Sequence, residues 1–199
     1  MTFLENLREQ RWDDHRYYHH SRINQSLHFL SAISFLCSYV LLFVSPVAAT
    51  LIGWIVAMVL RQIGHFFFEP KGYDDVNEAT HEHKEDIKIG YNLKRKRILL
   101  SLWLLSPLVL LIEPSLFGLL RPHHDVLGWL NNVSIMWLAL APAAILFRTI
   151  HLFWLYDMMT GIVWAAKILT DPFHDVKIYH KSPIQLLKGE LFDPMVNRF

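Results

Sequence analysis

Long apolar runs alternate with short polar ones along this chain, and two of the apolar runs form a pair. Residues 29–44 (FLSAISFLCSYVLLFV) and 47–60 (VAATLIGWIVAMVL) flank Pro46, with no charged side chain in either. Runs of this length predict two helices in a membrane-spanning hairpin, residues 24–44 and 47–68, turning at Pro46 and stopped by Pro70. A third span is predicted over 98–116, with Pro107 inside it, and a fourth over 127–147, kinked or broken at Pro142. Residues 150–169 hold Asp157 and Lys167, each costing roughly 2.5–3.5 kcal/mol at mid-bilayer, so an amphipathic interfacial helix suits them better than a fifth span. Polar stretches fill the remainder: an interfacial segment at 1–23, a charged loop at 71–97 and a tail at 170–199, with Pro172 marking a turn out of the last long helix. The expected fold is all-α. It is a single integral membrane domain over 1–199, a polytopic helix bundle of about four transmembrane helices plus interfacial helices. The first helical hairpin is at 24–68 and a second helical half at 98–169.

Composition agrees. The chain is 53% hydrophobic with a mean hydropathy of +0.24, too apolar for an ordinary soluble domain. Its net charge of +1 conceals a basic run, Lys94, Arg95, Lys96 and Arg97, just before the third span. Such a run orients a span and stays cytoplasmic, so nucleic acid is not an expected partner. With four spans, both termini and the 71–97 loop share the cytoplasmic side. The membrane would be the cytoplasmic one in a bacterium or the endoplasmic reticulum in a eukaryote. The single cysteine, Cys37, excludes an intramolecular disulfide and cysteine-based metal motifs.

Candidate chemistry lies at the cytoplasmic end of the hairpin. His28 and His65 are almost equally far from Pro46, roughly 27–29 Å along each helix. Hydrocarbon about 30 Å thick would bring both to one depth near one face. Asn24 and Glu69 repeat the match one turn further out. His20, Asn24 and His28 share a helix face, but one unbroken helix would set His20 and His28 about 12 Å apart, too far for one ion. Either the helix starts after His20, capped at Ser21, or the two histidines serve different roles. His65 and Glu69 form an i,i+4 pair, and Gly64 admits close approach of another backbone. Further candidate ligands are His81 and His83, which share a face only in extended chain, and His174, which Asp175 could orient. Histidine with carboxylate and no cysteine suits a non-haem Fe(II) centre with open positions; zinc suits the set as well. A substrate that stays in the membrane and offers its head group, such as a fatty acid or a long-chain base, fits a site at the rim. Arg22 or Arg61 could pair with a fatty acid's carboxylate.

Tyr18-His19-His20-Ser21-Arg22-Ile23-Asn24 with His28, and Gln62-Ile63-Gly64-His65 with Phe68-Glu69-Pro70, resemble the two signature segments of the yeast 2-hydroxy fatty acid dioxygenase family. The resemblance covers roughly the first 70 residues. It implies a small integral membrane enzyme of fatty acid α-oxidation that uses Fe(II) and O2 to shorten a long-chain 2-hydroxy fatty acid by one carbon. It further implies that the motif histidines, His19 or His20 with His28 and His65, are essential. The competing expectations are a di-iron hydroxylase-like enzyme, whose HxxxH and HxxHH boxes this chain lacks, and a non-enzymatic scaffold or lipid-binding protein. The oligomeric state is left open.

Overall fold

The computed structural model describes residues 1–195, and these form eight helices with no strand. The helices are α1 (Phe3–Tyr18), α2 (Arg22–Leu41), α3 (Pro46–Phe68), α4 (His81–Ile87), α5 (Leu93–Ile112), α6 (Val126–Leu155), α7 (Met158–Tyr179) and α8 (Ser182–Leu187). Each long helix begins where a short polar side chain takes up a free amide. Thr2 caps α1 in a reciprocal box with Glu5, Ser21 caps α2, and Ser45 precedes Pro46 at the start of α3. Asn92, Asp125 and Asp157 cap α5, α6 and α7.

Two helices, α3 and α6, are long and apolar enough to cross a membrane. The other two expected spans fall on α2 and α5, whose first turns are polar: α2 opens on Arg22, Asn24 and Gln25, and α5 takes in the basic run from Lys94 to Arg97. α2 is also turned inside out relative to a helix in water. Leu30, Ile33 and Val40 of α2 are exposed while Asn24, Gln25, His28 and Ser31 are buried. α7 repeats the pattern, burying Lys167, Asp171, Asp175 and Tyr179 and exposing Met158, Ile162, Leu169 and Phe173. α5 exposes Leu102, Leu104, Leu105, Leu108 and Leu111. Apolar side chains outward and polar ones inward suit a hydrocarbon surround.

Helix continuity departs from expectation at two prolines. α6 runs unbroken through Pro142 for 30 residues, and the chain breaks instead at Tyr156, ahead of the Asp157 cap. α7 runs through Pro172, where a turn was expected, to Tyr179. A proline removes one bond of the ladder; in α7 the buried polar stripe on both sides of Pro172 holds the helix in place. The segment expected to be a tail from residue 170 is therefore the end of α7, then α8, then an extended stretch whose Asp193 pairs with Arg22 at 2.8 Å. Residues 196–199 of that expected tail lie outside the described residues. The 71–97 loop likewise contains α4 and the first turn of α5.

Across the hairpin, the hydroxyls of Ser31 and Ser38 donate to the carbonyls of Ala57 and Ala49, both at 2.7 Å. At the far end Trp54 stacks on Trp103, with ring centres 5.2 Å apart, and Trp103 lies 5.0 Å from Trp137. Leu110, Val133 and Met136 complete that apolar cluster.

Candidate metal centre

Three local features bring His19, His28 and His65 together. The first is a break in the chain. Nine residues of one unbroken helix would separate His19 from His28 by roughly 13 Å. α1 instead ends at Tyr18 and α2 restarts under the Ser21 cap, so the two Nε2 atoms stand 3.2 Å apart. The second is a π-helical turn, Gly64–Phe68, that closes α3 and carries His65. Such turns re-aim a side chain within a helix and recur at functional sites. The third is Gly64 itself: a Cβ there would collide with Asn24 Oδ1 and meet His28 Cδ2 at 3.3 Å. Ring centres lie 4.9 Å apart for His28 and His65 and 5.4 Å apart for His19 and His65. All three rings are buried.

The outer nitrogens of His19 and His65 are held by oxygens, and that of His28 faces a carboxylate. His19 Nδ1 lies 2.9 Å from the Asp14 carbonyl, which can only accept, so Nδ1 carries the proton and Nε2 keeps its lone pair. His65 Nδ1 donates in the same way to Glu69 Oε2 at 2.8 Å. His28 Nδ1 faces Asp175 Oδ2 at 3.8 Å, and Arg61 forms a salt bridge to the same carboxylate. Oxygen partners behind ligating histidines are the usual way of fixing tautomer and ring orientation in metal sites. One ligand nitrogen from each histidine lies within 4.8 Å of the others, the one such group among the described residues. Two nitrogens bound to one ion at about 2.1 Å stand roughly 3.0–3.4 Å apart for angles between 90° and tetrahedral. The 3.2 Å separation of His19 and His28 falls inside that range. One further donor is free: Asn24 gives its Nδ2 to the Tyr18 carbonyl at 2.8 Å, which leaves the buried Oδ1 beside Gly64 without a partner among the described residues.

Electrostatics keep the donors on the α1 side neutral. Burial, then the proximity of His28, holds His19 well below the usual histidine range. Burial likewise lowers His15 to about 4; its Nδ1 lies 3.0 Å from the Tyr179 hydroxyl. Burial acts to raise Asp14, but the Lys167 ammonium 3.0 Å away outweighs it and keeps that carboxylate ionised.

The other candidate histidines lie elsewhere. His20, the other half of the tandem, turns away from the cluster to the Arg16 carbonyl and lies 3.4 Å from Asp74. His81 and His83 sit on α4, where a helix makes them diverge, and His83 is exposed. His174 is on α7 outside the cluster, and its neighbour Asp175 faces His28 and Arg61 instead. Glu69 is at the site as the partner of His65. Arg22 and Arg61 are engaged by Asp193 and Asp175 and do not present free guanidinium groups. Sequence reasoning missed Asp14, Tyr179 and the role of Asp175. The i+4 series Lys167, Asp171, Asp175, Tyr179 was a readable sign of a polar helix face. Comparison of the chain with protein-family models, with curated proteins and with solved structures finds no match.

Proposed function

We propose that this protein is a membrane-embedded, non-haem Fe(II)-dependent dioxygenase that shortens long-chain 2-hydroxy fatty acids by one carbon with O2. The observation that carries this reading is the buried cluster of His19, His28 and His65, with oxygen behind each Nδ1. The motif resemblance supplies the substrate class. In this reading α2, α3, α5 and α6 all span the membrane, and the histidine end, with both termini, faces the cytoplasm. His19, His28 and His65 would hold the iron through Nε2. When bound, the iron would supply a Lewis acid for the substrate oxygens and a site for O2. The protein's part is orientation and exclusion of water. Glu69 and the Asp14 carbonyl fix two of the imidazoles, and Asn24 Oδ1 is an acceptor for the substrate hydroxyl. α7 closes the site with Tyr179, whose ring centre lies 5.8 Å from that of His19.

The test is turnover. Protein purified in detergent and reconstituted anaerobically with Fe(II) is given 2-hydroxypalmitate and O2, and products are read by mass spectrometry. The reading expects a product one carbon shorter, absent with His28→Ala. Iron-loaded protein that leaves the substrate untouched would point to the non-enzymatic lipid-binding alternative.

A further inference from the structure

α3 and α5 do not close against each other along their cytoplasmic halves. Between them lies a cleft of about 250 Å³. Met58, Gln62 and Phe66 of α3 and Leu100, Trp103 and Leu104 of α5 line it. The walls are almost wholly apolar. From Met58 to Phe66 the cleft follows eight residues of helix, roughly 12 Å, enough for about eight to ten methylenes. Trp103, which stacks on Trp54, lines the end of the cleft away from the histidines. Its rim is formed by Phe67 and Leu104, both largely exposed, so it opens sideways onto the apolar surface of the bundle. Two buried polar atoms in its lining, Gln62 Oε1 and Trp103 Nε1, have no partner among the described residues.

One turn beyond Leu100, at the histidine end, stands Lys96, which is half-buried. Its side chain shares a helix face with Leu100 of the cleft. The carboxylates nearest to it are already taken: Lys88 holds Glu69 at 3.0 Å and Glu85 at 3.3 Å. Among the described residues no carboxylate lies within ion-pair distance of Lys96. A half-buried amine with no carboxylate partner, one helical turn from an acyl-sized apolar cleft, can pair with the head of a long-chain acid, whose own charge would favour the ammonium form.

We propose that the α3–α5 cleft holds the acyl chain of a fatty acid entering sideways from the bilayer, and that Lys96 pairs with its carboxylate beside His65. Lys96 then takes the part expected of Arg22 and Arg61, which are already paired. The Trp54–Trp103 stack sets how far the chain can enter. The proposal rests on the preceding reading only for the substrate class; binding itself needs neither iron nor turnover.

The test is therefore equilibrium binding of radiolabelled palmitate, with hexadecanol as the uncharged control, to full-length protein in detergent. Iron content and thermal stability are measured on the same samples. Lys96→Gln is expected to weaken palmitate binding about tenfold and leave hexadecanol unchanged, and Lys96→Arg to restore palmitate. Leu100→Trp, which fills the cleft, is expected to weaken both probes. Met58→Ala, which enlarges the deep end, should shift preference towards longer chains and is the check if Leu100→Trp does not fold. Palmitate binding unaffected by Lys96→Gln, or binding of both probes unaffected by Leu100→Trp, overturns the proposal. The expected binding pattern in a protein that holds no iron would uphold the cleft while removing the dioxygenase reading.

Discussion

The two ends of the α2–α3 hairpin are built from opposite materials. At one end Trp54, Trp103 and Trp137 pack with Leu110, Val133 and Met136, and Trp137 Nε1 of α6 donates to Ser106 Oγ of α5 at 3.0 Å. At the other end almost every buried group is polar, and imidazoles, carboxylates and ammonium groups are joined from α1, α2, α3 and α7. In a hydrocarbon surround apolar side chains gain little by facing one another rather than lipid, so the tryptophan end holds by shape and dispersion. The histidine end is held mainly by paired polar groups, costly to orphan. Damage at the first end should therefore be small and confined to stability, whereas damage at the second should reach the histidine cluster and any metal it binds.

The largest effect is expected from Glu69→Gln. Loss of the carboxylate behind His65 should lower metal affinity about 10–100-fold while the helical content is kept, as read by metal titration beside circular dichroism. Gly64→Ala comes next. Its methyl must displace Asn24, whose amide is tied to Tyr18, so α2 and α3 are forced apart at the site. A loss of about 1–3 kcal/mol in unfolding free energy is expected, with weaker metal binding alongside.

Acid should act on the same end. His15, lowered by burial to about 4, stays neutral in the folded protein while the unfolded chain takes up a proton near 6.5. Stability is therefore complete above about pH 6.5 and declines as pH falls towards 4. The share of that decline owed to His15 is about 2 kcal/mol by pH 5. His15→Gln should flatten that slope in detergent unfolding measurements at pH 7 and pH 5. The smallest effect belongs to the tryptophan end: Ser106→Ala should cost about 0.6 kcal/mol and leave metal content unchanged. A Ser106→Ala protein that lost its metal would erase the distinction between the ends.

The parts of this architecture that follow helical periodicity were legible in the chain. The expected convergence of His28 and His65 holds, with ring centres 4.9 Å apart, because both helices leave the same turn; Asn24 lies against Gly64, while Glu69 bonds His65 and Lys88. The choice between His19 and His20 was not legible, because it depends on where the chain breaks; the Ser21 cap, one of two options the sequence offered, decides it. The part played by Asp14 was invisible for another reason: its backbone carbonyl, which any residue would supply, holds His19. α7 was misjudged at Pro172 because local proline chemistry was weighed without the tertiary packing that overrides it. The pairing of Arg22 and Arg61 with Asp193 and Asp175 spans more than a hundred residues and leaves no local trace.

The most direct measurement is elemental analysis of anaerobically purified protein after Fe(II) reconstitution and removal of excess metal, wild type beside His65→Ala. The account predicts about one iron per wild-type chain and almost none in the variant, with both proteins folded. A wild type that retains no iron, or a His65→Ala variant that retains as much, would contradict it.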